Sequence, residues 1–400
     1  LDEKIEILIE SGDVPAIQAA VDRLAARSGG GTVRLAPGAY LLNDAIQLQS
    51  NVTLLGSGCD TILRKPPSRS THLVEDSDGF QSHVVVESAD GIEPGSGVVI
   101  DGKCPRYGRR IFNYHRVIGR DGNRLTLDRR LGESYWIEGG FKLHTVHPMI
   151  HGRRVNNAKV RDLLIEGNSQ TNVKLLGEAD GAVSFIESSH VQVRNVTVHD
   201  FNGSAFSWQT TEDFDIRECA SLNCTELGLH PGGGAPRSII ENNRVEGGVC
   251  GVFLCWGASN SVVRGNILIG NEYGISLGHR DTDNCIESNR MERSTLVGMR
   301  FRESANPSRN AHRNRIVANS FMDCGPADFP LAVDLQSRVH SIVFERNKFH
   351  ESRNSTSSIG MKVGENVREL SLQDNSFDGF AVDVQYARSE DRDVQPGLTT

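Results

Sequence analysis

Apolar and polar positions recur along the middle of the chain with a fixed spacing. Ala182, Ala205, Gly228, Gly251 and Gly274 lie 23 residues apart, and Gly298 follows 24 residues later. The position after each small anchor is apolar (Val183, Phe206, Leu229, Val252, Ile275, Met299), and so, two places further on, is nearly every residue (Phe185, Trp208, Pro231, Leu254, Leu277, Phe301). Between and after these come Ser184, Ser207, His230, Phe253, Ser276 and Arg300, then Ile186, Gln209, Gly232, Cys255, Gly278 and Arg302, which are mostly small or polar. Alternation with period two is the mark of a strand with one buried face. One short strand therefore recurs once per turn, with the first pair of columns inside and the second pair outside.

A second register carries the same period. Asn243, Asn266 and Asn289 are 23 apart, and Asn319, Asn347 and Asn375 continue the series, each three places after an apolar residue. Identical amides stacked at one corner can hydrogen-bond along the stack. Repeats of this length with short strands describe a solenoid, and strands stacked in register at roughly 4.8 Å make a parallel β-helix. Leucine-rich repeats share the repeat length, but their Leu-x-x-Leu-x-Leu pattern is missing. The expected fold is all-β.

Ahead of the coils, residues 11 to 27 read as an amphipathic helix, with Asp13 as N-cap, Pro15 in the first turn and Ile17, Ala20, Val21 and Leu24 on one stripe. Placed before the first strand, it would cover the open end of the solenoid. The cap and first coils take residues 1–65. Residues 66–150 break the pattern: Val84–Val86, Gly97–Ile100, His115–Ile118 and Leu125–Leu127, with Asp121-Gly122-Asn123 as a turn, predict a small antiparallel β lobe. The solenoid is expected to resume at Val160 and run to about Val384 within residues 151–388, with outward residues Asp334, Lys362 and Asp383. A polar tail occupies 389–400.

The opening segment AIQAAVDRLAARSGGGTVRLAPGAYLL, followed by SNVTLLGSG, closely resembles the N-terminal coil of the pectate-lyase-like superfamily of right-handed parallel β-helix proteins. Members include pectate lyases, polygalacturonase-type glycosidases, alginate epimerases, inulin fructotransferases and phage tailspikes. The segments LGLHPGGG and YGISLGHRDTDN look like those of a bacterial subgroup of such β-helices. The resemblance implies the fold and a carbohydrate-active role, in a monomer or a homotrimer. It also implies a secreted or periplasmic location, with any signal peptide lying ahead of Leu1.

Bulk properties narrow the partners. Net charge is −8, so a nucleic-acid or membrane-surface role is not indicated. No apolar run approaches the ~18 residues of a membrane span. The eight cysteines show no pair spaced by one coil, which predicts buried small side chains rather than a disulfide ladder. His144, His147 and His151 are close in sequence, but 144 and 147 fall on opposite faces of an extended strand, so groove-lining or loop bonding is expected of them and no resident metal.

A β-helix has no room inside for a ligand, so chemistry must sit on an outer face. The register places His230, Trp256, His279, Arg300, Arg302 and Glu303 within one patch a few coils high. Trp256 offers a flat platform for a sugar ring, and arginine forks suit a carboxylate. A uronate polysaccharide lyase or epimerase needs a cation for the sugar carboxylate and a base near neutrality to take the adjacent proton. Arg300 or Arg302 would neutralise, His230 or His279 would move the proton, and Glu303 would assist. Trp256, Arg280, Asp281, Gln209 and Glu226 would hold substrate. The alternative is a glycoside hydrolase or intramolecular fructotransferase with paired carboxylates among Glu226, Asp281, Asp283 and Glu303. Calcium on Asp281, Asp283 and Glu303 is a variant, and a non-catalytic glycan-binding β-helix is the third class. Alginate epimerases carry an Asp-Pro-His-Asp motif after a glycine and an apolar residue. Gly228-Leu229-His230-Pro231 aligns its proline with theirs but has His230 for the first aspartate and Gly232 for the histidine, so the resemblance carries over the location of the site and not its mechanism.

Overall fold

The computed structural model describes residues 5–177 and 179–387; the expected polar tail lies outside them. Its body is a parallel β-solenoid. One wall is an eleven-stranded parallel sheet, and a twenty-stranded sheet folds around the other walls. In the eleven-stranded sheet Val183, Phe206 and Leu229 are direct partners, followed by Val252, Ile275, Met299 and Val333, which is the register that the 23-residue spacing predicts. All of these are buried in one continuous apolar core. At the far end the outward column runs Arg300, Asp334, Lys362 and Gln385. Asp383 is one step out of that column, because Val384 is the partner of Met361.

The small anchors have a packing reason. A Cβ on Gly251 would lie 2.6 Å from the Gly274 carbonyl oxygen, and one on Gly274 would lie 2.5 Å from that of Gly298. Beyond them stand Leu268 and Met291 of the opposite wall. The anchor column thus marks where the coil is narrowest, and a side chain there would push the walls apart.

The corner between two back strands carries the amide ladder. Asn243, Asn266, Asn289, Asn319 and Asn347 each donate from Nδ2 to the Oδ1 of the next asparagine in the series at 2.8–3.0 Å, ending on Asn375. Each backbone N–H donates to the same oxygen. A second ladder, not evident in the repeat, joins Ser238, Ser261, Asn284 and Asn314 through backbone N–H donors and side-chain oxygens. These side chains supply bonds that buried corner backbone would otherwise lack.

The helix α1 (Val14–Ala25) has Asp13 as N-cap, accepting from Ala16 N at 3.1 Å, and buries Val14, Ile17, Ala20, Val21 and Leu24. It follows a strand the repeat did not announce, Glu6–Ile9, paired in parallel with Gly31–Leu35. Gln18 of α1 exchanges two hydrogen bonds with the backbone of Gln47, on the first strand of the eleven-stranded sheet. Between the coil strands Val52–Arg64 and Ile150–Arg153, a six-stranded antiparallel sheet forms a lobe with its own core around Ile100, Tyr135 and Phe141. The solenoid resumes earlier than Val160, since Ile150 already pairs with Ile46 on one side and Val183 on the other. Among the described residues, no helix is long and apolar enough to cross a membrane, and all eight cysteines are free thiols, six of them buried.

Replacing Asn266 by leucine should leave the Ile240 carbonyl and the Asn243 N–H without partners in a dry corner. Unpaired buried groups cost roughly 1–3 kcal/mol each, so the variant is expected to lose about 2–5 kcal/mol, read as a lower urea midpoint.

Candidate functional site

Stacked register turns one strand position into a column along the outside of the eleven-stranded sheet. The column runs Gln47, His151, Ser184, Ser207, His230, Phe253, Ser276 and Arg300. Its neighbour, two residues on, includes Arg153, Ile186, Gln209 and Gly232. Residues more than 250 positions apart in sequence therefore share one wall.

Near the middle of this wall His230 meets a carboxylate that the repeat did not single out. Asp180, in the loop that enters the strand Gly181–Ile186, places Oδ2 3.6 Å from His230 Nδ1 and accepts from Ser204 Oγ at 2.8 Å. Burial pushes Asp180 upward, but His230 and the hydroxyls of Ser204 and Ser207 outweigh it and hold the carboxyl below its ordinary range. Its Oδ1 has no hydrogen-bond partner among the described residues. The imidazole stands edge-on to Phe253, with ring centres 5.4 Å apart, and Gln209 Nε2 lies 3.4 Å from both ring nitrogens and 3.1 Å from Ser207 Oγ. Each side chain of the pair keeps about one-seventh of its surface open, 14% for His230 and 15% for Asp180. A half-sheltered imidazole against an ionised carboxylate can take a proton and be stabilised once charged.

The residues expected beside His230 divide into three groups. Trp256 is 54% exposed and stacks on His279 at 4.8 Å with an 11° tilt. Both sit at the left-handed corner of their coils, with φ 56° and 43°, which turns the rings outward as one aromatic step. Burial, then Arg302 and Arg309, push the His279 imidazole down, and its Nδ1 has no hydrogen-bond partner among the described residues. Arg300 lies further along the column, donates to the Tyr273 hydroxyl at 3.0 Å and rests over its ring. Arg280 is exposed at the same corner.

Arg302 and Asp281 form the second group, and both expectations need correction. Arg302 donates to Ser276 Oγ at 2.7 Å, to the Leu254 carbonyl at 2.5 Å and to Asp281 at 3.3 Å, and packs over Phe253. Asp281 is wholly buried and accepts the backbone N–H groups of Gly257, Ala258 and Gly278. Burial pushes its carboxyl up to about 6 despite these donors. The pair clamps two coils together, so Asp281 cannot touch a ligand and Arg302 is committed to the fold. In the third group Glu226 is bonded by Lys174, Asp283 by both arms of Arg313 at 2.7 Å, and Glu303 faces Arg338 at 3.7 Å. Each of these three carboxylates is engaged by a cation. They do not converge on calcium, and no group of three or more acidic, His or Cys side chains among the described residues could hold a metal ion.

A hollow on this wall lies nearer the N-terminus than the sequence indicated. A cavity of about 720 Å³ opens between the lobe and the start of the column, with Gln47 and His151 on its floor, Tyr114, Arg116, Asp128 and Arg129 from the lobe, and Arg153 and Leu176 at its side. The three neighbouring histidines go separate ways: His144 bonds Ser70 Oγ, His147 bonds its own loop at the Pro148 carbonyl, and His151 faces the cavity. Burial, aided by Arg153 and Arg129, pushes His151 down to about 4.

Family comparison agrees with this architecture. Residues 148–306 match the family described as right handed beta helix region. The chain folds as a right-handed parallel β-helix. The solved β-helices that it resembles include the mannuronan C-5 epimerase AlgE6 A-module of Azotobacter vinelandii, with a TM-score of 0.55, 16% identity, and 95% of this chain and 93% of that one covered. The tailspike of E. coli bacteriophage HK620, solved with a pentasaccharide, gives 0.60 and 14% over 95% of this chain but only 61% of the tailspike. PfbA, a surface adhesin of Streptococcus pneumoniae, gives 0.57 and 12% over 95% and 93%. No curated protein matches the sequence.

Two outcomes test this geometry. Below its unfolded value near 6.5, His151 takes up a proton more readily in the unfolded chain, so wild-type stability should fall as pH drops from about 6.5 to about 4, by up to about 3 kcal/mol. His151→Gln should flatten that limb in urea titrations run across the window. Asp281→Ala, which strands a buried guanidinium, should cost about 3–5 kcal/mol, whereas Trp256→Ala should stay within about 0.5 kcal/mol of wild type, as exposed positions do.

Proposed function

We propose that the protein is a carbohydrate-active β-helix working on a uronic-acid polymer, as a polysaccharide lyase or epimerase, along the outer wall of the eleven-stranded sheet. The observation that carries this reading is the Asp180–His230 pair, set on a wall where polar and aromatic side chains line up coil after coil. His230 accepts the proton next to the sugar carboxylate, and Asp180 holds the resulting imidazolium. Gln209 is the donor nearest the imidazole and meets the carboxylate as charge develops on it. The carbanion then expels the neighbouring glycosidic oxygen, which takes the proton back from His230 and leaves an unsaturated sugar, or it takes a proton from solvent on its other face while His230 gives its own up to water.

Trp256 with His279, and Arg300 further along, hold neighbouring sugar units, an apolar ring face on the indole and a carboxylate on the guanidinium. The paired-carboxylate alternative has less support, because Glu226, Asp281, Asp283 and Glu303 are each engaged elsewhere. A polymeric glycan as substrate goes with a secreted or periplasmic protein.

His230→Gln should lower kcat on the responsive uronate polymer by at least about a hundredfold, the usual scale of a lost general base. Asp180→Asn should lower it less, and Trp256→Ala should raise KM with kcat nearly unchanged. Ultraviolet absorbance of unsaturated ends identifies a lyase, and altered sugar stereochemistry at constant polymer length identifies an epimerase. Turnover unchanged in His230→Gln would remove the proposal.

A further inference from the structure

We infer that the cavity between the lobe and the coil wall is a subsite for a carboxylate-bearing sugar, with Arg116 as the residue that binds the carboxylate. This rests on the wall being a glycan groove and says where that groove begins. The floor of the cavity is Gln47 and His151, the first two members of the column that leads to His230. Behind Gln47 the groove is closed, because Gln18 of α1 exchanges hydrogen bonds of 3.0 and 2.8 Å with its backbone. Strand spacing of roughly 4.8 Å puts His151 about 14 Å from His230 along the wall, so a polymer engaged at His230 extends naturally into the cavity. Its volume, about 720 Å³, falls in the range of small-molecule sites, about 300–1,000 Å³.

Arg116 is built as a carboxylate reader. Its Nε donates to Asp44, a carboxylate only 1% exposed that also accepts from the Tyr114 hydroxyl and Ala45 N–H. That contact fixes the plane of the guanidinium from behind. Its two terminal amino groups make no hydrogen bond to any described residue, while the side chain lines the cavity. Asp128, a carboxylate that lines the cavity, is bonded by Arg129 at 2.9 Å and by the Arg116 backbone N–H at 3.0 Å, and it makes no hydrogen bond to those terminal groups. His151, buried and with Nδ1 unpartnered, adds a neutral polar atom to the floor. A planar fork with free terminal donors binds a carboxylate in two parallel bonds, which an ammonium cannot reproduce.

The test is calorimetric binding of oligogalacturonate and oligomannuronate trimers, each alongside its carboxyl-reduced counterpart, to the full chain. Arg116→Lys keeps the charge facing Asp44 and removes the fork, and Leu176→Trp fills the cavity without touching a charge. The native trimer that binds wild type should bind Arg116→Lys about tenfold more weakly, the reduced trimer should not distinguish the two proteins, and Leu176→Trp should weaken both ligands. Wild-type affinity in both Arg116→Lys and Leu176→Trp, equal binding of native and reduced trimers, or no binding of either uronate to wild type would overturn the subsite. Turnover that survives in His230→Gln while Arg116→Lys still weakens binding would instead overturn the catalytic reading and leave the subsite standing.

Discussion

Every coil must present the same cross-section as the one before it, because each strand finds its hydrogen-bond partners only on its two neighbours. The asparagine ladder enforces that constraint at the tightest corner. Each amide accepts from the asparagine on one side and donates to the one on the other, so a coil of altered path would break bonds with both. The narrow glycine column does the same on the opposite wall by excluding side chains where the walls meet. Insertions are tolerated only where the chain leaves the stack. The longer spacing from Asn289 to Asn319 is absorbed by a loop around Pro307, and the whole antiparallel lobe between Arg64 and Ile150 rejoins the stack in register.

Equal cross-sections have a functional consequence. Side chains at one strand position become a straight row, so seven polar residues and Phe253, drawn from eight coils, make a groove without any of them being close in sequence. Three of the row's serines, Ser184, Ser207 and Ser276, are covered by other groups. Asp180 lies over Ser204 and Ser207, and Arg302 lies over Ser276. The wall is thus divided into an imidazole–carboxylate centre, an aromatic step and a cationic hollow under the lobe.

What the sequence made legible was whatever repeated. The inward columns, the amide ladder, α1 and the outward position of His230 and Trp256 all follow from spacing and alternation, and the structure places them there. What it did not make legible depends on single contacts. Asp180 stands two places ahead of the anchor Ala182, in a column that continues as Gly203 and Glu226 with no carboxylate on the next coil, so nothing marked it as the partner of His230. Arg302 and Asp281 share a column and a loop with the groove residues, yet burial turns them into a clamp, and periodicity cannot tell an outward side chain that is open from one that is covered. The cavity arises where the lobe folds back on the first coils, a contact between segments that obey different repeats.

The central claim is that one wall of the stack is where an acidic glycan lies. A crystal structure of the protein with a uronate oligosaccharide tests it most directly. The account predicts sugar density along the row from His151 to His230 with a carboxylate at Arg116. Density on a different wall, with the His230 row empty, would contradict it.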